Sequence, residues 1–188
     1  MGLLDTILGR SKPVKPDLDE LFALPSAAVT LQAAANLKPT GVGSVCVKPA
    51  EGGAFAGLRE QINELLAVDN DKYDESKDSF GFTWISRRGS ADDIADLVGD
   101  LHSVNATLTD AGFGPALLCT LVTFTDNAAP NVGLVYLYKR GTWYPFAPIG
   151  QDKRDNPREL QVRAYLGDEL KIEPDLSRWF PVWGAPGL

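Results

Sequence analysis

Residues 116–147 read ALLCTLVTFTDNAAPNVGLVYLYKRGTWYPFA, and their pattern decides the fold. Ala116 to Thr125, Val132 to Lys139 and Thr142 to Ala147 are β-rich runs, while Asp126 to Asn131 and Arg140-Gly141 carry turn chemistry between them. Connections this short join antiparallel neighbours, so the three runs form a meander. The first run is apolar nearly throughout, at Leu117, Leu118, Cys119, Leu121, Val122 and Phe124. That marks a central strand covered on both faces.

Two strands are expected upstream of the meander. Val42 to Lys48 is apolar at Val45 and Val47, and Ser79 to Arg87 alternates, with Phe80, Phe82 and Trp84 on one face. Between them, Asp69 to Asp78 is acidic and polar and reads as an exposed loop. It lacks the glycine and the terminal bidentate acid of a calcium loop.

The sheet needs cover, and the helical periodicities supply it. Ser90 to Ala111 is the clearest helix, with Ser90 as N-cap, Asp92 and Asp93 in the first turn, Gly112 as its stop, and an apolar stripe through Ile94, Leu97, Val98, Leu101, Val104 and Leu108. Ala54 to Ala67 is a second amphipathic helix, through Phe55, Leu58, Ile62, Leu65 and Leu66. Pro25 to Asn36 is Ala-rich and suits close helix packing. Asn156-Pro157-Arg158-Glu159 opens a short helix that stops at Gly167. These elements give a single α+β domain, an antiparallel sheet packed by amphipathic helices.

The two ends differ from this body. Residues 1–24 read as an amphipathic arm and linker: Leu3, Leu4, Ile7 and Leu8 share one face of a short helical turn, Pro13 and Pro16 break the chain, and Asp17 caps a further turn to Leu24. Residues 25–188 form the domain. It closes on an aromatic tail, Trp179, Phe180 and Trp183 among prolines, whose rings would be costly in water. Alternation sends Tyr136, Tyr138, Trp143, Tyr144 and Phe146 to both sheet faces, so the tail is expected to cover some of these rings, the alternative being an open aromatic groove for a partner segment.

Composition narrows the function. At 188 residues with 44% hydrophobic and 23% charged residues, the chain has the balance of a globular protein with a sizeable core. A net charge of -7 repels nucleic-acid phosphates, and the basic groups Arg87-Arg88, Lys139-Arg140 and Lys153, Arg154, Arg158 and Arg163 contain no run of five or more, so no nucleic acid is expected as partner. The two cysteines, Cys46 and Cys119, sit in apolar β-like segments without metal-ligand spacing. A disulfide between them is geometrically conceivable, but with no signal peptide in view, reduced thiols in a cytoplasm are the expected state.

Catalytic signatures are weak. The single histidine, His102, lies in mid-helix, no GxSxG elbow presents a serine to it, and Cys119 beside it would more simply be a core thiol. Gly41-Val42-Gly43 precedes a strand rather than a helix, so it is a turn rather than a phosphate loop. Asp92-Asp93 opposes a helix macrodipole. Asn105-Ala106-Thr107 matches a glycosylation sequon within a helix. The expectation is a protein without catalytic, cofactor or metal residues that works by binding another protein.

With these segments placed, the chain resembles the PspA-associated protein family of actinobacteria and archaea, linked to the phage-shock envelope-stress system. The residues that carry the resemblance are Met1-Gly2-Leu3-Leu4-Asp5 through Gly9-Arg10, Leu21-Phe22-Ala23-Leu24-Pro25, Phe113-Gly114-Pro115-Ala116-Leu117-Leu118, Val135 to Gly141, Tyr144-Pro145-Phe146-Ala147-Pro148 and Trp179-Phe180-Pro181-Val182-Trp183-Gly184. The resemblance spans essentially the full length. It implies a PspA-like protein, a membrane-associated coiled coil, as partner, and a cytoplasmic setting at the inner membrane face. The element order is also similar to secretion-chaperone-like folds that bind protein segments.

The expected role is therefore a non-enzymatic adaptor or regulator of envelope stress. Its candidate partner-binding residues are Leu3, Leu4, Ile7 and Leu8 of the arm, Tyr138, Lys139, Arg140 and Trp143 of the meander, and Trp179 and Trp183 of the tail. Two alternatives stand beside it. One is small-molecule anion binding or an enzymatic role at the meander, residues 136–146. The other is a peripheral membrane sensor with weak membrane contact through the arm, whose Met1-Gly2 and Thr6 also fit a myristoylation pattern.

Overall fold

The three meander runs fold as read, into strands β4 (Leu117–Thr125), β5 (Val132–Leu137) and β6 (Thr142–Phe146). The computed structural model describes residues 17–48, 73–150 and 152–188. Asp126 shapes the β4–β5 turn by accepting the backbone N–H groups of Ala128 and Ala129 at 3.0 and 3.1 Å. The β5–β6 hairpin turns at Gly141, whose φ of 64° suits a residue without Cβ.

Three further strands, β1 (Lys38–Val47), β2 (Tyr73–Lys77) and β3 (Thr83–Arg88), complete a six-stranded antiparallel sheet of order β2-β3-β1-β4-β5-β6. β2 falls inside the stretch read as an acidic loop. Its side chains are exposed from Asp74 to Ser76, so it carries no apolar alternation. Its pairing with β3, Tyr73 opposite Arg87 through Lys77 opposite Thr83, holds it in the sheet, and charge on an edge strand discourages further pairing.

One sheet face packs on helices α1 (Leu24–Ala35), α2 (Ile94–Leu108) and α3 (Asn156–Leu166). Val45, Ile85, Phe124, Leu134, Tyr136 and Trp143 point to them and meet Leu31, Leu97, Leu101, Val104 and Val162. α2 sits close: a Cβ on Gly43 would lie 2.6 Å from Leu101 Cδ1. Asn105, buried at 1%, donates from α2 to Thr120 Oγ1 at 2.9 Å, a burial no attached glycan could share. The helix starts three residues later than the periodicity suggests. Asp93 caps it by accepting Asp96 N–H, while Ser90 serves a turn before it.

At the α3 start the cap is Asp155, which accepts Arg158 N–H, with Pro157 in the first turn. Glu159, the last residue of that opening stretch, is buried and accepts Ala147 N–H and Arg154 Nε–H at 2.8 and 2.9 Å. The 3-10 turn Leu18–Ala23 precedes α1 and places Leu21 in the core at 1% exposure. The packed domain therefore reaches upstream of Pro25, back to at least this turn. The helix expected over Ala54–Ala67 lies outside the described residues.

Candidate functional site

Among the described residues, no helix packs on the second face of the sheet. Cys46, Trp84, Cys119, Leu121, Val135, Tyr144 and Phe146 project there, and the C-terminal segment covers them. After α3 the chain runs beside β6, with Trp143 N–H donating to Lys171 O and Glu173 N–H to Trp143 O, both at 2.8 Å. It then turns through Leu176–Arg178 and crosses the sheet. The aromatic tail is docked.

Its attachments are specific. Trp179, 5% exposed, stacks on Tyr144 with ring centres 6.0 Å apart, and its Nε1–H donates to Glu173 O at 3.0 Å. Tyr144 Oη–H donates to Phe180 O at 2.7 Å, and Arg154 Nη1 donates to Trp179 O at 2.5 Å. Farther on, Trp183 meets the Phe146 ring edge-on at 4.8 Å and Asn131 Nδ2 donates to Gly187 O at 2.7 Å. Burial pushes the Tyr144 hydroxyl well above its ordinary value, so it stays a donor.

Among the described residues, the cover beneath the tail's Phe180–Trp183 stretch is incomplete. An apolar groove of about 850 Å³ opens there. Cys46, Trp84, Cys119 and Tyr144 form its floor, Phe80 and Phe82 from the β2–β3 turn one wall, and Phe180 to Trp183 the other. Leu118, Leu137, Lys139, Arg140 and Arg178 stand at its rim. A second hollow of about 620 Å³, reaching to Phe146, Pro148 and Leu188, shares Phe80, Val182 and Trp183 with the first. The two make one groove in two compartments.

The polar groups around it are mostly spent on structure. Asp78 accepts Phe80 N–H at 2.9 Å, Phe82 N–H at 3.0 Å and Trp84 Nε1–H at 2.9 Å. Arg140 Nε lies 2.6 Å from the buried Glu173 carboxylate, and Arg178 pairs with Asp175 at 3.1 Å. Burial works against ionisation of Glu173, but hydrogen bonds from Arg140, Thr142 and Asp175 N–H outweigh it and hold its carboxyl below the usual range. The exposed Lys139 has no ion-pair partner among the described residues.

Over residues 1–187 the sequence matches the family of PspA associated protein B. The chain belongs to that family. The match includes every described element and ties the protein to the phage-shock system by the family's name. No curated protein and no solved structure matches the chain.

In this PspA-associated protein the residues singled out from sequence separate. Lys139, Arg140 and Trp183 line the groove, and Trp179 lies buried behind its wall. Tyr138 and Trp143 project to the opposite, helix-covered face, where Tyr138 Oη meets Thr109 Oγ1 at 2.9 Å and Trp143 packs on Tyr136 at 5.1 Å. An anion cleft built from Tyr138, Lys139, Arg140 and Trp143 together is thus not formed. Strand alternation divides it, and Glu173 neutralises Arg140. Leu3, Leu4, Ile7 and Leu8 lie outside the described residues.

His102 and Cys119 are likewise on different sides of the sheet. His102 packs on the Phe22 ring at 4.9 Å and lies 3.6 Å from Asp19, whereas Cys119 lines the groove. The residues that sequence reasoning passed over are the groove floor and far wall. Phe80, Phe82 and Trp84 do share a face as read. Their meeting with the tail over Cys46 and Cys119 depends on strand register.

Proposed function

We propose that this protein is a non-enzymatic adaptor or regulator of the phage-shock envelope-stress response, and that it holds an apolar segment of a PspA-like protein in the groove under its C-terminal tail. The observation that carries this reading is the groove's two-compartment, apolar construction. Adjacent hollows divided by Phe80, Val182 and Trp183 suit successive apolar side chains of one segment. Residues one helical turn apart on an amphipathic helix have that relation. The family's name supplies the direction of the partner.

The setting proposed with this role is the cytoplasm at the inner membrane face. No described helix is long and apolar enough to cross a membrane, and any membrane contact would fall to Leu3, Leu4, Ile7 and Leu8. One observation favours a second reading, a small apolar ligand with an anionic group near Lys139: the larger hollow falls in the size range of small-molecule sites.

Titration calorimetry with the purified PspA-like protein of the same organism tests the first reading. Phe80 is 65% exposed, so Phe80→Asp leaves the core intact while placing a charge between the two compartments. Loss of a central apolar anchor is worth about 2 kcal/mol or more, so affinity falls roughly 30-fold or further. Binding unchanged by Phe80→Asp overturns the reading.

A further inference from the structure

The floor of the groove carries chemistry that partner binding does not use. Cys46 and Cys119 are the chain's two cysteines. They lie directly opposite each other on β1 and β4, the two strands at the centre of the sheet. Both face the groove, and neither is in a disulfide.

Directly opposed residues of an antiparallel pair have Cα atoms about 4.5–5.5 Å apart. That falls within the range of about 4.4–6.8 Å that a disulfide spans. Beside the pair the register shifts, since Cys46 faces Cys119 while Val47 faces Leu117, leaving Leu118 as an extra residue. A bulge there gives the β4 backbone local freedom to turn Cys119 toward its neighbour.

The Cys46 thiol shares a hydrogen bond with Cys119, and that bond together with burial pushes it far above the ordinary thiol value. Cys46 therefore stays protonated at neutral pH, and a reagent small enough to enter the groove is what meets the two thiols. The described residues contain no group of three or more potential ligands that could hold a metal ion.

We propose that Cys46 and Cys119 are a redox-active dithiol, closed into a cross-strand disulfide by low-molecular-weight disulfides that enter the groove. One cysteine gives up its proton as its sulfur attacks a sulfur of the small disulfide, forms a mixed disulfide and expels the first small thiolate, which takes up that proton. The other cysteine then attacks the protein sulfur of that mixed disulfide and expels the second small thiolate, which takes up the second proton. The protein pair loses two electrons and two protons, and one small disulfide becomes two thiols. Because the second cysteine is held opposite the first, its attack is intramolecular and outruns a further bimolecular encounter. This assignment holds whatever segment the groove binds.

The test is exposure of the purified full-length chain, in native buffer, to oxidised glutathione. Acid quenching is followed by thiol counting and intact mass under non-reducing conditions. The expected result is joint loss of both thiols, a mass lower by two hydrogens with no glutathione retained, and a higher melting temperature that dithiothreitol reverses, because the new bond closes the loop from Cys46 to Cys119. Two results would overturn the assignment. One is glutathione persisting on a single cysteine. The other is both thiols surviving in the native protein under conditions that fully oxidise the urea-unfolded chain.

Discussion

Trp179→Ala removes the side chain that fastens the tail to the sheet, and its cost can be worked from the contacts. The ring is 5% exposed and stacks on Tyr144 at 6.0 Å, with the Arg163 guanidinium 5.9 Å from its centre. Truncating a buried aromatic to alanine costs about 3–5 kcal/mol in packing. The lost Nε1–H bond also leaves Glu173 O without its indole donor, about 1 kcal/mol more. For a domain of this size each kcal/mol lowers the melting temperature by roughly 2–4 °C. The variant should therefore melt on the order of 8–24 °C below the parent by circular dichroism or calorimetry.

The neighbouring Phe180, 59% exposed, provides the contrast. Phe180→Ala should stay within about 0.5 kcal/mol of the parent. If the tail detaches as a unit, hydrogen exchange at Ala185 and Leu188, whose amides bond within the tail, accelerates in Trp179→Ala alone. A Trp179→Ala protein melting within about 2 °C of the parent, less than 1 kcal/mol, would refute the docking account.

Two further outcomes follow from other contacts. Glu173 has a lowered folded-state pKa, so the stability it contributes is present above its unfolded value and lost as pH falls through the folded one. Thermal melts from neutral to acid pH should show the parent losing stability below the usual carboxylate range. Glu173→Gln should be less stable at neutral pH and flatter across that acid window. Gly43→Ala puts a Cβ 2.6 Å from Leu101 Cδ1, and overpacking of this kind costs about 1–3 kcal/mol. Urea unfolding should register that loss with partner binding unchanged, since Gly43 faces α2 and not the groove.

Much of the fold is legible in local pattern. Leu117, Leu121 and Phe124 announce β4 as a strand covered on both faces, and it lies between β1 and β5 with helices on one side and the tail on the other. The edge strand β2 is not legible, because Asp74, Glu75 and Ser76 show no apolar alternation and only pairing with β3 defines it. The tail covers Tyr144 and Phe146 as alternation suggests, while Tyr136 and Trp143 turn to the helices. The groove needs two tertiary facts that no local pattern carries: the register that sets Cys46 against Cys119, and the path of residues 179–183 over the sheet. For that reason Lys139, Arg140 and Trp183 belong to the site, and Tyr138 and Trp143, equally prominent in sequence, do not.

The central claim, that the tail-face groove holds the partner, is tested most directly by position-specific photocrosslinking with the purified PspA-like protein. A benzophenone side chain replaces either Phe80, at the junction of the two compartments, or Val29, 70% exposed on α1 over the opposite face. The account predicts covalent capture from position 80, mapping to one contiguous apolar segment of the partner, and none from position 29. Capture from position 29 alone, or equally from both, would contradict it.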